Sequence, residues 1–299
     1  MTRPDPETDT FEAHRPRLVR LAYRMLGSML EAEDVVQDAW LRWRAVDADG
    51  VEAPGAYLTR IVTRLCLDIL KSARSRRETY IGPWLPEPIA EPPDDALRAD
   101  ELTLTLMLAL ERLSPLERAA FLLHDVFDVP LGDVAATLDR DAAAVRQLAS
   151  RARKHVREER PRFPISRQDG ETIARAFFAA STSGDVEGLR ALLAQDVIVR
   201  ADGGGKVLAF LNPIIRLDRV LRMFAGLHRK LTTQPAKFIQ PLWIDGLPGY
   251  VSRERDNVLQ TTALAVEDGR VVAVFITRNP DKLVGIADLL ERGSGNSQH

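Results

Sequence analysis

The chain has 299 residues, of which 45% are apolar and 28% are charged, as in a globular protein with two or three domains. The net charge of −2 argues against a uniformly basic nucleic-acid coat, although basic and acidic residues are segregated along the chain. The single cysteine, Cys66, excludes a disulfide framework and a cysteine zinc cluster. The chain lacks a long apolar run and starts with a polar segment, so we expect a cytoplasmic protein without membrane contact, cofactor or metal.

The amino-terminal residues predict two amphipathic helices. The first has an apolar face from Phe11 to Met25 and ends at Gly27-Ser28. The second begins at Glu31 and carries an acidic strip that continues with Asp34 and Asp38 at helical spacing. Acids near a helix start commonly do no more than interact with the helix dipole. Three acids on one face also suit docking on a basic partner.

A third helix follows Pro54, a residue suited to the first helical position. Its apolar side runs from Tyr57 to Ile69, and basic residues line its outer face and carboxyl-terminal end, namely Arg60, Arg64, Lys71, Arg74, Arg76 and Arg77. Basic residues at this end of a helix are favourable for the dipole alone. The alternative is phosphate contact beside an aromatic residue, which suits partly opened DNA.

Residues 81–105 predict an extended connector, because this stretch is acidic and dense in proline. A plain spacer is one interpretation. However, the connector contains the sequence WLPEP, in which Trp84 and Leu85 are apolar residues that a spacer does not need. We therefore expect another part of the chain to cover them.

A helical pattern resumes near Ala96, and Ser114-Pro115-Leu116-Glu117 predicts a capping box with proline in the first turn. The stretch from Leu131 to Arg157 then predicts a helix-turn-helix, with Asp139 in a left-handed turn and Asp141 capping the second helix. The exposed face of that helix carries Arg146, Gln147, Ser150, Arg151 and Lys154. A helical hairpin with a solvated face is the alternative, but charge of one sign favours DNA reading.

Residues 165–299 change from helical to mixed pattern. Helices are predicted from Glu171 to Thr182, onwards through Leu193, and around Leu217–Leu231, with Asp268-Gly269 as a hairpin turn. The alternating segments VIVRA, LAF, FIQPLWI, YVSRE, NVLQTTALAV and RVVAVFIT predict strands. Together they indicate an α+β cone, and its resemblance to the SnoaL-like, NTF2-like fold implies a central pocket. Candidate pocket residues are Asp202, Asp218, His228, Asp245 and Arg253, but they define no acid–base pair, so we assign no catalytic residue and expect no enzyme.

The segments AEDVVQDAWLRW, AYLTRIVTRLCLDILKSARSRRE and LSPLERAAFLLHDVFDVPLGDVAATL together resemble bacterial sigma factors of the extracytoplasmic-function type. The carboxy-terminal cone is similar to the SnoaL-like, NTF2-like fold. With WLPEP, DGGGK and NPDKL, the resemblance extends to the SigJ-like group, in which a SnoaL-like extension follows the sigma domains. It implies sigma domain 2 at 1–80, a connector at 81–105, sigma domain 4 at 106–164 and the extension at 165–299.

The resemblance implies roles by position. Contacts with the β′ clamp of core RNA polymerase fall to Glu33, Asp34, Gln37, Asp38 and Trp40. Contacts with the −10 promoter element fall to Arg60, Arg64, Lys71, Arg74 and Arg77, while the helix-turn-helix residues Arg146, Gln147, Ser150, Arg151 and Lys154 read the −35 element. Asp68 either orients an arginine or belongs to a structural ion pair. Many such factors have Asn where Arg64 stands, so the −10 base preference stays open.

The resemblance also implies regulation in cis by the cone. The interdomain residues are Trp84, Leu85, Pro86, Glu87, Pro88, Asp202, Gly203, Gly204, Gly205, Lys206, Asn279, Pro280, Asp281, Lys282 and Leu283. We expect WLPEP to pack against DGGGK and NPDKL, with Lys206 paired to Glu87, although a simple glycine turn would also account for DGGGK. DGGGK lacks the spacing of a phosphate-binding P-loop. The alternative function is a small-molecule enzyme or sensor with a helical targeting module, and an unidentified small ligand in the pocket fits either.

Overall fold

The computed structural model describes residues 6–46, 50–78, 80–90, 104–157, 165–230, 235–254 and 256–295. The residues cluster into a helical unit, Met1–Thr79 with Met107–Glu159, and a cone unit, Tyr80–Leu106 with Arg160–His299. The segment predicted as a connector therefore belongs to the cone unit, although both of its flanks belong to the helical unit. Among the described residues, no helix combines the length and apolarity needed to cross a membrane.

The helical unit is built from amphipathic helices with local caps. Its helices are α1 (Pro6–Leu26), α2 (Met29–Trp43), α3 (Pro54–Glu78), α4 (Leu104–Leu110, within which the chain passes from the cone unit), α5 (Pro115–Phe121), α6 (Leu131–Leu138) and α7 (Ala142–Arg157). A π-helical turn, Leu122–Val126, extends α5. The predicted capping box is confirmed, because Ser114 accepts from the Glu117 amide and Glu117 accepts from the Ser114 amide.

The predicted helix-turn-helix is also confirmed. Helix α6 ends at Asp139, whose φ of 54° and ψ of 55° are left-handed, a conformation that aspartate tolerates better than most residues. The Asp141 carboxylate accepts from the Ala144 amide at 2.7 Å and so caps α7. Val145 and Ala149 are buried on the inner side of α7. The sequence pattern thus fixes which face of α7 is left in solvent.

The cone unit is an α+β domain, as predicted, in agreement with a SnoaL-like cone. Its elements are α8 (Arg167–Ser183), α9 (Val186–Leu192), β1 (Leu193–Asp202), β2 (Ile214–Ile215), α10 (Leu217–Lys230), β3 (Lys237–Ile244), β4 (Leu247–Arg253), β5 (Leu259–Glu267), β6 (Arg270–Thr277) and α11 (Val284–Gly295). The six-stranded sheet has the order β2-β1-β6-β5-β4-β3, and β1 runs parallel to β6. Phe177 and Phe224 meet edge to face in its main core.

Two sequence expectations for the cone need correction. The LAF segment, Leu208–Phe210, forms no strand, and the strand that pairs antiparallel with β1 is the two-residue β2. Three alternating residues after a glycine turn are too few to define a strand, and Leu208 is 80% exposed. The last helix predicted for the cone lay around Leu217–Leu231, but a further helix, α11, follows the NPDKL segment. The helical pattern predicted from Ala96 lies outside the described residues up to Leu104, where α4 begins.

Candidate functional site

The acidic strip of α2 is exposed only in part. Asp34, Gln37 and Asp38 face solvent, whereas the Glu33 carboxylate is paired with the Arg15 guanidinium. The Trp40 ring is half-buried, with the Phe11 ring centroid 4.9 Å away and the Arg44 guanidinium 5.8 Å from its centroid. Two exposed leucines, Leu30 and Leu41, lie on the same helical face as Asp34 and Gln37. Sequence reasoning missed them, since single leucines on an acidic helix read as ordinary surface variation.

The basic face of α3 shows two kinds of environment. Arg60 and Arg64 are exposed, and the Arg64 Nε lies 3.5 Å from the Thr137 carbonyl oxygen. Lys71 forms an ion pair with Asp68 at 3.0 Å, which supports the structural interpretation of Asp68. Both side chains are more than 70% exposed, so the pair contributes little to stability and leaves Lys71 accessible. The side chains of Arg74 and Arg77 lie outside the described residues.

The outer face of α7 carries every polar residue predicted there. Arg146, Gln147, Ser150, Arg151 and Lys154 are all exposed, opposite the buried apolar stripe. Arg151 also lies 3.4 Å from Glu117. Burial alone would raise the pKa of Glu117, but hydrogen bonds from Ser114 and the nearby charges of Arg151 and His155 outweigh it and lower that pKa. The surface is basic, solvated and carried by a rigid helix, as DNA contact requires.

The second site surrounds one buried carboxylate, that of Asp202 at the end of β1. Asp202 is 0% exposed and accepts hydrogen bonds from the Tyr80 hydroxyl at 2.5 Å and the Leu85 amide at 2.9 Å. It also accepts from the Gly204 amide at 3.0 Å and the Lys282 ammonium at 2.8 Å. A buried carboxylate is tolerated when it is paired and hydrogen-bonded in this way. Asp202 therefore ties the connector to the cone.

The Lys282 ammonium completes this site, which we call the Asp202–Lys282 node. The Lys282 Nζ atom lies 4.2 Å from the centroid of the Trp84 ring and 5.1 Å from the centroid of the Tyr80 ring, within cation–π range. It also donates to the Leu85 carbonyl oxygen at 2.5 Å. Asn279 donates to the Tyr80 hydroxyl at 3.1 Å. Burial and the hydrogen bond to Asp202 raise the pKa of Tyr80, which keeps it a neutral donor.

The glycines of DGGGK allow the chain to approach the node closely. Gly204 and Gly205 have φ values of 61° and 70°, a region that favours glycine. A Cβ atom on Gly204 would clash with the Asn279 side chain, and one on Gly205 would lie 2.9 Å from Ile81. The motif is thus a turn that Asn279 and the connector pack against, and phosphate binding is not needed to explain it.

The rest of the connector follows the sheet edge. Leu85, Pro86 and Pro88 are buried. The Ile89 amide donates to the Asp245 carboxylate at 3.2 Å, the Asp245 amide donates to the Ile89 carbonyl oxygen at 3.0 Å, and Ala90 forms an antiparallel bridge with the end of β3. The sequence offered no signal for this contact.

One predicted pairing is replaced in the structure. Lys206 was expected to pair with Glu87, but its ammonium forms an ion pair with Asp281 at 2.6 Å. Both side chains of that pair are more than half exposed. The lysine that contacts the connector is Lys282, which lies one residue after Asp281 and carries the same side chain as Lys206. Sequence alone does not distinguish the two lysines.

The predicted pocket residues do not converge on a shared site. Asp202 and Asp245 bind the connector, while Asp218 pairs with Arg222 at 3.1 Å on the surface. His228 Nδ1 lies 3.1 Å from the Thr182 carbonyl oxygen, and Arg253 donates to the Asn257 carbonyl oxygen. Within the described residues, this set has no acid and base facing one another.

Comparison with known proteins accounts for the helical unit. Sigma-70 region 2 matches residues 10–76 and sigma-70 region 4 matches residues 103–156. The chain is 40% identical over 296 residues to the ECF RNA polymerase sigma factor SigJ of Mycobacterium tuberculosis, covering 93% of this chain and 94% of that protein. The chain belongs to the ECF (extracytoplasmic-function) sigma factors. It therefore directs RNA polymerase to promoters.

A further relative and a solved structure match over nearly their whole lengths. The probable ECF sigma factor SigI of M. tuberculosis is 31% identical over 293 residues, with 95% of this chain and 97% of that protein covered. The crystal structure of M. tuberculosis SigJ matches with a TM-score of 0.74 at 35% identity, covering 93% of this chain and 98% of that chain. The cone and most of the connector lie outside both region matches, so the likeness to SigJ includes the extension as well as the sigma regions.

Proposed function

We propose that this sigma factor docks on the polymerase β′ clamp, reads the −10 and −35 elements, and is regulated in cis by its cone. Docking uses the exposed acids of α2, −10 contact uses the basic face of α3, and −35 contact uses the outer face of α7. Exposed arginine and glutamine on a helix suit base edges, and lysine suits phosphate. The protein acts where the polymerase is, in the cytoplasm, and we assign no reaction to the cone.

The observation that carries the regulatory role is the Asp202–Lys282 node. The connector lies between region 2 and region 4 in sequence, and the node holds it on the cone through Tyr80, Trp84 and Leu85. The prolines keep the segment extended, so little chain entropy is lost on docking. A docked connector limits how far regions 2 and 4 can separate, whereas a released connector lengthens that reach. The cone can therefore change promoter activity without touching DNA.

Run-off transcription with purified core polymerase tests this role in the full-length protein. Trp84→Ala and Lys282→Ala, alone and together, are expected to change promoter-specific transcription in the same direction. Because the two side chains contact one another, the double variant should be non-additive. The direction of the change reveals whether docking activates or inhibits.

The matched control is Lys206→Ala, which removes a neighbouring lysine from an exposed ion pair and should leave transcription nearly unchanged. Additive effects of Trp84→Ala and Lys282→Ala, or none, would contradict regulation through the node.

A further inference from the structure

Helix α10 of the cone presents three arginines to solvent, which we call the arginine strip. Arg219, Arg222 and Arg229 are all exposed, opposite the side of the helix that packs into the main core. Their side chains lie within about 80° of one another around the helix axis, over a length of about 15 Å. The only acid of α10, Asp218, pairs with Arg222 at 3.1 Å. Within the part of the chain that the structure describes, Arg219 and Arg229 have no ion-pair partner.

Arg216 extends the strip at the amino-terminal end of α10. Its carbonyl oxygen accepts from the Arg219 and Val220 amides, both at 3.1 Å. Its φ of 82° lies in the left-handed region, which strains most residues other than glycine, and a cation at this end of a helix opposes the dipole. The side chain is 73% exposed, and its nearest acid, Asp218, lies 3.7 Å away. Folding alone therefore favours another residue here, and strain at an exposed arginine indicates a function.

The partner that fits the arginine strip is the phosphate backbone of a DNA duplex. Arg219 and Arg222 are three positions apart, where like charges repel until an anion neutralises them. A guanidinium group presents a planar fork of donors that matches phosphate oxygens. Single-stranded nucleic acid requires aromatic stacking, and protein interfaces centre on aromatic or apolar anchors. The only phenylalanine, tyrosine or tryptophan of α10 is Phe224, which is 6% exposed, so the strip offers no aromatic anchor.

The chain tethers the cone to the helix that we propose to read the −35 element. Helix α7 ends at Arg157 and α8 begins at Arg167, so these residues are at most about 36 Å apart. A domain of the size of the cone is roughly 36 Å across. The arginine strip can therefore reach DNA within roughly 70 Å, or about 20 base pairs, of the −35 element. The tether also raises the local concentration of this DNA, which favours weak phosphate contacts.

We propose that the arginine strip, together with Arg216, binds the phosphate backbone of double-stranded DNA beside the −35 element. Phosphate contacts supply affinity and carry no sequence information, so the strip strengthens promoter binding without changing base preference. The strip is separate from the Asp202–Lys282 node, which acts through the connector. The proposal rests on the proposed promoter contacts, because α7 brings the DNA within reach of the cone.

Promoter binding by holoenzyme, assembled from core polymerase and the full-length protein, tests the strip. Arg219→Gln with Arg229→Gln should reduce the slope of log affinity against log salt by about 1.8, because each lost phosphate contact removes about 0.9. Base preference at the −35 element should not change. The matched control, Arg253→Gln with Arg292→Gln, removes two exposed positive charges from β4 and α11 and should leave the slope unchanged.

An unchanged slope in the folded Arg219 and Arg229 variant would overturn the proposal. Weaker binding of that variant to core polymerase in the absence of DNA would also overturn it, because the strip would then bind an acidic protein surface. A wild-type holoenzyme that selects no promoter would instead contradict the −10 and −35 contacts. The strip is then decided by the same slope on non-promoter duplex DNA, where phosphate contacts predict the same reduction.

Arg216→Gly separates a role in DNA binding from a role in folding. Glycine adopts a φ of 82° without strain and removes the cation that opposes the dipole, so the midpoint of urea unfolding should not fall. The salt slope of DNA binding should nevertheless decrease by about 0.9. An unchanged slope would remove Arg216 from the proposed contact, whatever the effect of the substitution on stability.

Discussion

In the helical unit, the cationic side chains of α7 stand in solvent, whereas in the cone unit Lys282 and Asp202 lie beneath the connector. Arg151 is 61% exposed as a side chain, while Lys282 and Asp202 are 13% and 0% exposed. Exposed charges contribute little to folding and remain available to phosphate and protein partners. A buried pair contributes mainly through the penalty for removing one member. Substitutions in the first set should change binding, and substitutions in the second should change conformation.

The largest expected effect comes from the buried set. Asp202→Asn keeps the size of the side chain but leaves Lys282 without its anion, which should destabilise the docked connector by about 3–5 kcal/mol. The Leu85 amide donates a hydrogen bond to the Asp202 carboxylate, so native-state hydrogen exchange at this amide measures the loss. Asp281→Asn, at the exposed pair with Lys206, is the control and should cost under about 1 kcal/mol. Equal losses of stability in Asp202→Asn and Asp281→Asn would show that the buried and the exposed ion pairs do not differ in this way.

The next largest effect is expected for the exposed acids of α2, which we propose to contact the polymerase. Asp34→Lys with Asp38→Lys should weaken binding to core polymerase about 100-fold, or ~2.7 kcal/mol, since like charges then meet the basic surface that the strip requires. Co-purification and fluorescence titration measure the loss, and urea unfolding should be unchanged. Glu12→Lys with Asp133→Lys applies the same change of charge elsewhere on the helical unit. Full polymerase binding by the folded Asp34 and Asp38 variant would remove α2 from the interface.

The promoter face of α7 should respond more weakly and base by base. Arg146→Ala is expected to relax discrimination at one −35 position by about 1–3 kcal/mol. Lys154→Ala, equally exposed, should weaken all sequences alike and reduce the salt dependence of binding. Binding to a panel of single-base −35 substitutions separates the two behaviours. An unaltered base preference in Arg146→Ala would mean that this residue contacts only phosphate.

The smallest effects compare one cap in each unit. Ser114→Ala and Ser166→Ala each remove an N-cap hydrogen bond and should destabilise their own unit by about 1 kcal/mol in urea unfolding. Glu117 adds a pH dependence to the first cap, because its pKa in the folded state is lowered from the ordinary 4.5. Its contribution is complete above that ordinary value and is lost as the pH falls through the lowered pKa. Glu117→Gln should therefore matter at neutral pH and lose its effect in acid; a pH-independent effect would contradict this.

Sequence reasoning succeeded where the signal is local. The capping box at Ser114, the left-handed Asp139 and the Asp141 cap each depend on residues within a few positions, and the structure has all of them. The apolar periodicity of α7 likewise fixed its solvent face. The proline-stiffened connector showed Leu85 as an apolar residue in need of cover, and it is fully buried.

The expectations that failed depend on contacts distant in sequence. The choice between Lys206 and Lys282 as the partner of the connector depends on which lysine lies over Trp84, a residue 198 positions before Lys282. The sequence predicted nothing for the hydrogen bond from the buried Arg118 of α5 to the Met25 carbonyl oxygen of α1, because a backbone carbonyl acceptor has no sequence signature. The strand predicted for the short LAF segment was wrong for a local reason. The segment follows the glycine turn directly and is too short to define a strand.

The bridge between Ala90 and Ile244 has a consequence for assembly. Strand β3 is the last strand of the sheet, and an unpaired strand edge is a template for pairing with another chain. While docked, the connector covers one end of that edge. Releasing it frees the Asp245 amide, which donates to the Ile89 carbonyl oxygen in the docked form, for strand addition from a second molecule. A sigma factor with its connector released should therefore self-associate more readily than the docked form.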